Sequence, residues 1–471
     1  MTTRPRDGEH PADPNRRQLL AGAGAAGLAT LFGPPAFAQA PSVRIDHRIR
    51  IEPMAHEIAP GKIVRTTAYN GQIPGRALRL REGVPVAIEV VNASGYPNLI
   101  HWHGQFLAAR QDGAVEEGSP IIPVGKSLVY AYTPRPAGTR WYHSHAYAGV
   151  NLARSTYSGE YGFLIVEPAA GDPGRYDREV LLAAHHWDGR WVSLQDFEPG
   201  PPKDNGLEVV FAAATLDSRM LGHDDPIRVR QGERVLFRLL NASASEGIKL
   251  ALPGHKFTVI ALDGNAVPTR ARVDVLELDV AERVDVIVEM NNPGVWVFGE
   301  TRDDRRKMGL GAVIEYAGYG GPPQWRTPTK SEWDYTVFGR NSAVPKPDEI
   351  IALKFEKIAG GRSHYNRWTI NGKSWPDTNP LFEIQQGKRY RLLMNNANGD
   401  GHPVHLHRHS FELTRIGNKT TSGIIKDSLA MEPHSTAEID FVADNPGPTF
   451  FHCHNQDHMD EGFAALISYA R

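Results

Sequence analysis

The chain has 471 residues, which at roughly 150 residues per domain suggests about three domains. Its 41% apolar and 23% charged residues are the mix of an ordinary globular protein and argue against both disorder and an integral-membrane protein. Fifty-two Lys and Arg against 54 Asp and Glu leave a formal charge of −2, with no basic excess to hold a phosphate backbone, so no nucleic-acid partner is expected.

At the amino end, residues 15–20 (NRRQLL) precede a mildly apolar Ala/Gly/Leu run at 21–32 and the small-residue stretch 36–40 (AFAQA). A basic pair, a short apolar run and an Ala-x-Ala site read as a secretory signal, and the paired arginines point to the twin-arginine (Tat) export machinery. Residues 1–40 are therefore expected to be removed, and the product to be periplasmic or secreted. The run is short and rich in Gly and Ala for a bilayer span, and no later segment approaches spanning length, so no membrane insertion of the mature chain is expected.

The remainder repeats itself. Residues 79–94 (RLREGVPVAIEVVNAS) recur at 228–243 (RVRQGERVLFRLLNAS) and, more loosely, at 382–397 (FEIQQGKRYRLLMNNA). Aligning Gly83, Gly232 and Gly387 gives offsets of about 149 and about 155 residues, the length of one domain. Short Val/Ile/Leu/Phe runs such as 84–91 and 234–240 alternate with polar residues and stop at Gly, Pro or Asn, which predicts antiparallel strands in β-sandwiches and an all-β fold. Gly/Pro-rich linkers at 168–174 and 318–324 set domain bounds of 41–168, 178–317 and 332–471. The charged stretch 301–307 reads as a solvated loop.

Twenty histidines stand against one cysteine, Cys453, which excludes an internal disulfide framework and leaves the thiol as core residue, nucleophile or metal ligand. Ten of the histidines fall in four clusters: His101 and His103; His143 and His145; His402, His405 and His407; and His452 and His454 flanking Cys453, followed by His458. The first and third repeats hold all four; the second has VFGE at 297–300 in their place. Residues two apart on a strand share a face, so each His-x-His presents two imidazoles side by side. Eight imidazoles outside the cysteine's own site are too many for one ion and imply a cluster shared by the first and third repeats. Cys453 faces away from His452 and His454 and must serve a different metal. Two histidines and one cysteine with a weak or absent axial ligand describe a blue-copper electron-transfer site, with His458 on the same segment and His402 available to complete the trio. Isolated histidines elsewhere, including His185, His186, His255, His364, His409 and His434, read as ordinary structural residues.

With these motifs the chain resembles the multicopper oxidases of the three-domain, laccase-like bacterial type; NGQIPG at 70–75, WTING at 368–372 and FVADNPG at 441–447 resemble them too. The resemblance implies three consecutive cupredoxin-like (Greek-key β-sandwich) domains and four copper ions. It makes His402, Cys453 and His458 the type 1 ligands, and His101 and His405 the type 2 ligands. His103, His143 and His454 would hold one type 3 copper, and His145, His407 and His452 the other. It further implies one-electron oxidation of phenols or aryl amines coupled to four-electron reduction of dioxygen, or alternatively oxidation of Cu(I), Mn(II) or Fe(II) in metal tolerance. Asp112 resembles the proton-relay aspartate. Where many bacterial relatives carry Glu after the last type 1 histidine, this chain has Met459, leaving Asp457, Asp460 or Glu461 as the second acid. Met459 reads as a packing residue that an extended segment points away from His458. Phe463 occupies the axial position as a non-ligand, which raises the potential of the copper. Copper-free scaffold relatives have lost ligands, whereas here the set is complete.

Overall fold

Two β-sheets recur three times along the chain. In this computed structural model, residues 44–171, 175–193, 206–328, 332–358 and 366–470 are described; the expected signal at 1–40 and His364 lie outside them. The first sandwich pairs a sheet ordered Lys62–Tyr69, His47–Ala59, Val86–Asn92, Ser127–Tyr132 with a sheet ordered Gly75–Arg81, Tyr161–Glu167, Gly138–Ser144, Ile100–His103. The second and third sandwiches repeat this plan with added edge strands.

The sequence repeat is a crossover between sheets. In each copy its first strand (Gly75–Arg81, Ile227–Val229, Phe382–Ile384) lies in one sheet and its second (Val86–Asn92, Arg234–Asn241, Arg389–Asn396) in the other. The aligned glycines make the turn between them with φ of +77°, +85° and +85°, a left-handed conformation that a Cβ disfavours. Sequence periodicity predicts antiparallel pairing alone, but each sandwich also contains two parallel pairs. One is His47–Ala59 beside Val86–Asn92 and its counterparts; the other is Gly75–Arg81 beside Tyr161–Glu167 and its counterparts. A Greek-key path that returns to a sheet after visiting its partner brings strands of the same direction together.

Alternating residues fill the space between sheets, as in Arg389–Asn396, where Tyr390, Leu392, Met394 and Asn396 are buried. The first sandwich has a core of its own around Ile51, Ile88, Trp102 and Leu164, whereas the cores of the second and third run into one another. A further cluster containing Ile58, Trp141, Trp187 and Leu240 joins the first to the second. The stretch 301–307 contains a one-turn helix, Asp303–Lys307, rather than a plain loop. Arg306 lies 3.8 Å over the Trp325 ring and Arg305 pairs with Glu246 at 2.6 Å, so its cations are partly folded back onto the protein.

A methyl group on Gly232 would meet nothing within 4 Å, so Gly232→Ala should cost only the conformational strain, about 1–2 kcal/mol. Its urea midpoint should fall with the m-value unchanged.

Candidate metal centre

Cross-strand register brings the histidine clusters together. His101 lies opposite His143 across Ile100–His103 and Gly138–Ser144. His405 lies opposite His452, and Val404 opposite Cys453, across His402–Leu406 and Thr449–Cys453. The two pairs come from different sandwiches and face each other: the His101 and His407 rings stack at 4.0 Å, and those of His103 and His405 at 3.7 Å. His145 and His452 approach to 5.2 Å, and His143 and His454 to 5.0 Å. All eight imidazoles implied by the motifs therefore converge on one buried space.

The second nitrogen of most rings is already committed. Nδ1–H of His101 donates to the Asp112 carbonyl (2.9 Å), of His405 to the Asp427 carbonyl (2.7 Å), of His143 to the Ser144 carbonyl (2.9 Å) and of His452 to the Cys453 carbonyl (2.8 Å). His407 Nδ1–H donates to Asp112 Oδ2 at 2.8 Å. Each Nε2 is thereby turned inward, with His101 and His405 Nε2 3.4 Å apart and His407 and His452 Nε2 3.0 Å apart. His103 is reversed: its Nε2 contacts Asp427 Oδ1 and Ser428 Oγ, leaving Nδ1 as the free donor. His143 Nε2 and both nitrogens of His145 and His454 are buried without a hydrogen-bond partner. Unpaired buried nitrogens aimed at one another are costly unless an ion satisfies them, and an outward N–H held by a carbonyl or carboxylate is the usual support of a metal-ligating imidazole.

Burial, reinforced by mutual repulsion, pushes His103, His143, His407, His452 and His454 well below the ordinary imidazole value. Burial takes His145 and His405 to about 3. These rings are neutral at pH 7, the form that binds a metal.

The cysteine makes a separate group. Cys453 Sγ lies 3.7 Å from His402 Nδ1 and 3.5 Å from His458 Nδ1, and the two nitrogens are 3.1 Å apart. A point equidistant from atoms so spaced lies about 2 Å from each, the length of an ordinary metal–imidazole bond and a few tenths of an ångström short of a metal–thiolate bond. Phe463 stands with its ring 4.7 Å from that of His402, and Trp368 covers His458 at 4.0 Å. Burial raises the Cys453 thiol well above its usual value, so ligation would have to expel its proton. His458 and Met459 sit on the short helix Gln456–Asp460, not on an extended segment. Met459 packs against Phe450, Ala464 and Leu466, on the far side from the thiol.

Two cavities open on these groups. One of about 860 Å³ reaches His458, Asn455 and Asp457, with Glu208, Glu246, Asp279, Asp400 and Glu432 along its walls. Asp457 Oδ2 is 3.9 Å from His458 Nε2, and burial raises this carboxyl to about 6. The other, of about 450 Å³, reaches His145 and is lined by Glu116, Phe450, Met459 and Asp460. Asp460, raised by burial to about 7, accepts from the Ala148 and Gly149 N–H groups and from Gln456 Nε2. Glu461 is only half-buried and lines neither.

Other placements were not legible in sequence. Asp112 ends the short helix Ala109–Asp112 and is fully buried; beside it lies Glu117, whose carboxyl accepts from Phe450 N–H (2.7 Å). Burial and the Asp112 charge raise Glu117 well above the carboxylate range. Asp427, Arg283 and Arg140 form a buried ionic group behind His103. His409 is bound to the His407 carbonyl and Tyr469, and His255 to the Pro253 carbonyl and Tyr316. His185 and His186 use Nδ1 on Ala242 and Ser243, away from the cluster, and His434 is exposed.

Three sequence profiles described as multicopper oxidase match residues 51–171, 215–318 and 352–470. The multicopper oxidase MmcO of Mycobacterium tuberculosis is 29% identical over 444 residues, covering 87% of this chain and 84% of that protein. Laccase-3 of Thanatephorus cucumeris is 26% identical, covering 88% and 89%. The crystal structure of a multicopper oxidase from Pseudomonas thermotolerans superposes with a TM-score of 0.70 at 25% identity, over 91% of this chain and 100% of that one.

Because Cys453 is fully buried, an aromatic disulfide reagent at pH 8 should release no thiolate from the folded metal-free protein and one equivalent after unfolding.

Proposed function

The chain belongs to the multicopper oxidase family and is a copper-dependent oxidoreductase that uses dioxygen, built from cupredoxin-like domains; on that premise we propose how its residues divide the work. His402, Cys453 and His458 hold a type 1 copper. His101 and His405 hold a type 2 copper, His103, His143 and His454 one type 3 copper, and His145, His407 and His452 the other, four ions in all. Bound copper supplies one-electron redox chemistry at the thiolate group and dioxygen reduction at the imidazole cluster. The observation that carries this reading is the tripeptide His452-Cys453-His454, whose central side chain lies in one donor group and whose flanking side chains lie in the other. It gives electrons a covalent path between the two.

The reductant occupies the cleft at His458 and is a phenol or aryl amine. Asp457 stands where a carboxylate can accept the proton that the O–H or N–H group loses on oxidation, and Trp333 and Tyr335 offer aromatic surface in the same cleft. Phe463, with its ring beside His402, has no donor atom and would not coordinate a copper held there, and a weak or missing further ligand would favour a high potential. Four such molecules give up four electrons and four protons, and one dioxygen takes up both to become two waters. Asp112, hydrogen-bonded to His407, serves as a proton relay, and Asp460, in the cavity at His145, as a proton donor on the dioxygen side. A second reading, oxidation of Cu(I), Mn(II) or Fe(II), draws on the excess of carboxylates over Lys249 and Lys419 in the cleft. We also propose twin-arginine export to the periplasm or beyond, on the strength of residues 15–40.

Oxygen uptake by the copper-loaded enzyme with a phenol, an aryl amine, Cu(I), Mn(II) and Fe(II) in parallel tests the substrate. Strong uptake with the organic compounds is expected, and uptake with metal ions alone would replace the first reading by the second. Cys453→Ser should abolish the blue absorption and all substrate-dependent uptake; turnover of a phenol at the parent rate would refute the relay. Asp457→Asn should raise KM for a phenol by about 5- to 20-fold with the blue band retained, the loss of one charge-assisted hydrogen bond.

A further inference from the structure

The second sandwich supplies none of the proposed ligands, yet its side chains close around the residue that holds two of them. Asp427, in the third sandwich, touches His103 of the first through Oδ1 (3.1 Å) and accepts from His405 Nδ1–H through its backbone carbonyl (2.7 Å). Both Asp427 oxygens are in turn taken by Arg283, a second-sandwich residue, in a two-pronged pair at 2.6 Å each. The remaining donors of Arg283 are spent on the carbonyls of Thr139 in the first sandwich and of Ala281 and Asp263 in the second. The guanidinium is therefore fixed from both sides and cannot swing with its partner.

Neighbouring contacts tighten the same segment. Asp263 accepts from the backbone N–H groups of Asp427 and Ser428 and pairs with Lys426 at 2.9 Å, while Glu282 takes Lys426 at 3.0 Å. Lys426, Asp427 and Ser428 are all fully buried, and Ser428 stands opposite His405 in register. Arg140 of the first sandwich completes the group at 3.3 Å from Asp427. Gly104, directly after His103, belongs to the device: a Cβ there would come within 2.6 Å of Asp427 Oδ2 and 3.0 Å of Arg283 Nη2. With both oxygens engaged by Arg283, the carboxylate acts as a holder of imidazoles and not as a ligand.

We propose that the second sandwich positions the imidazole cluster through an arginine clamp, in which Arg283 fixes Asp427 and Asp427 fixes His103 and His405. Arg283 and Asp427 are positioning residues, and the proposal rests on the ligand assignments above. The clamp sets the spacing between one imidazole from the first sandwich and one from the third. It does not touch His402, Cys453 or His458.

The test uses the full chain loaded with limiting copper, reading copper per chain, the blue absorption and the type 2 electron paramagnetic resonance signal. Copper content and blue colour of the unaltered protein test the ligand assignments by themselves; the variants test the clamp. Arg283→Gln and the isosteric Asp427→Asn should each keep the blue band while copper affinity of the cluster falls about 10- to 100-fold and the type 2 signal changes, the usual cost of removing a support behind a ligand. Arg283→Lys, which keeps the charge but not the fork, should fall between. Arg238→Gln breaks two other ion pairs at the junction of the first two sandwiches, with Asp285 at 2.7 Å and Glu179 at 2.5 Å, and should leave copper content unchanged. The proposal is overturned if Arg283→Gln and Asp427→Asn bind copper like the parent with an unaltered type 2 signal. It is equally overturned if both lose the blue band together with the cluster, or if Arg238→Gln empties the cluster too, since each would show a general loss of structure.

Discussion

Eight buried imidazoles facing one another are the constraint around which the molecule is built. Each ring has two nitrogens, and a buried N–H without an acceptor costs about 1–3 kcal/mol. The structure meets this by giving the outer nitrogen a fixed acceptor, as with the carbonyls of Asp112, Ser144, Asp427 and Cys453, and leaving the inner nitrogens to a metal. Ser144 and Cys453 directly follow the histidines they hold, whereas Asp112 ends a helix and Asp427 lies between two strands, so the rings are oriented partly by their own strands and partly by distant ones. Placing half of the rings in each of two sandwiches makes the cluster a seam, and the seam must be held from outside.

The holding is ionic and buried, which is unusual for a stability device. Burial by itself would raise Asp427, but the Arg283 guanidinium beside it outweighs that and holds the carboxyl well below the usual range. Buried pairs of this kind gain little net stability over apolar packing, whereas losing one partner is expensive. Their use here lies in geometry, since a forked pair permits one orientation where apolar side chains would permit several. Arg408 makes a smaller tie of the same sort, reaching from beside His407 to the Leu107 carbonyl of the first sandwich.

The two donor groups also divide access. The cleft at His458 is wide and acidic, while the cavity at His145 is smaller and walled by Phe450, Met459 and Trp375. Under the proposed function the reductant and dioxygen would thus have separate approaches, and the helix Gln456–Asp460 reaches both cavities, with Asp457 and His458 at the first and Met459 and Asp460 at the second. Of the three carboxyls after Asn455, Asp457 lines the first cavity and Asp460 the second, while Glu461 lines neither.

What the sequence by itself determined was local and periodic. The His-x-His pairs, the lone cysteine between two histidines, the thrice-repeated crossover and its turn glycine are all set by residues two to fifteen apart, where strand geometry translates order into position. The family, the all-β fold and the candidate ligands were legible on that basis. Only the tertiary structure decided what lies behind and around them. Arg283 and Asp427 are 144 residues apart, and His103 and Asp427 are 324 apart. Neither Arg283 nor Asp427 belongs to a motif, and nothing in the strings around those two sets them apart. Glu117 beside Asp112 and the different destinations of Asp457 and Asp460 were hidden for the same reason. Their roles come from which sandwich packs against which, and that is settled by the summed burial of three cores, not by any short pattern.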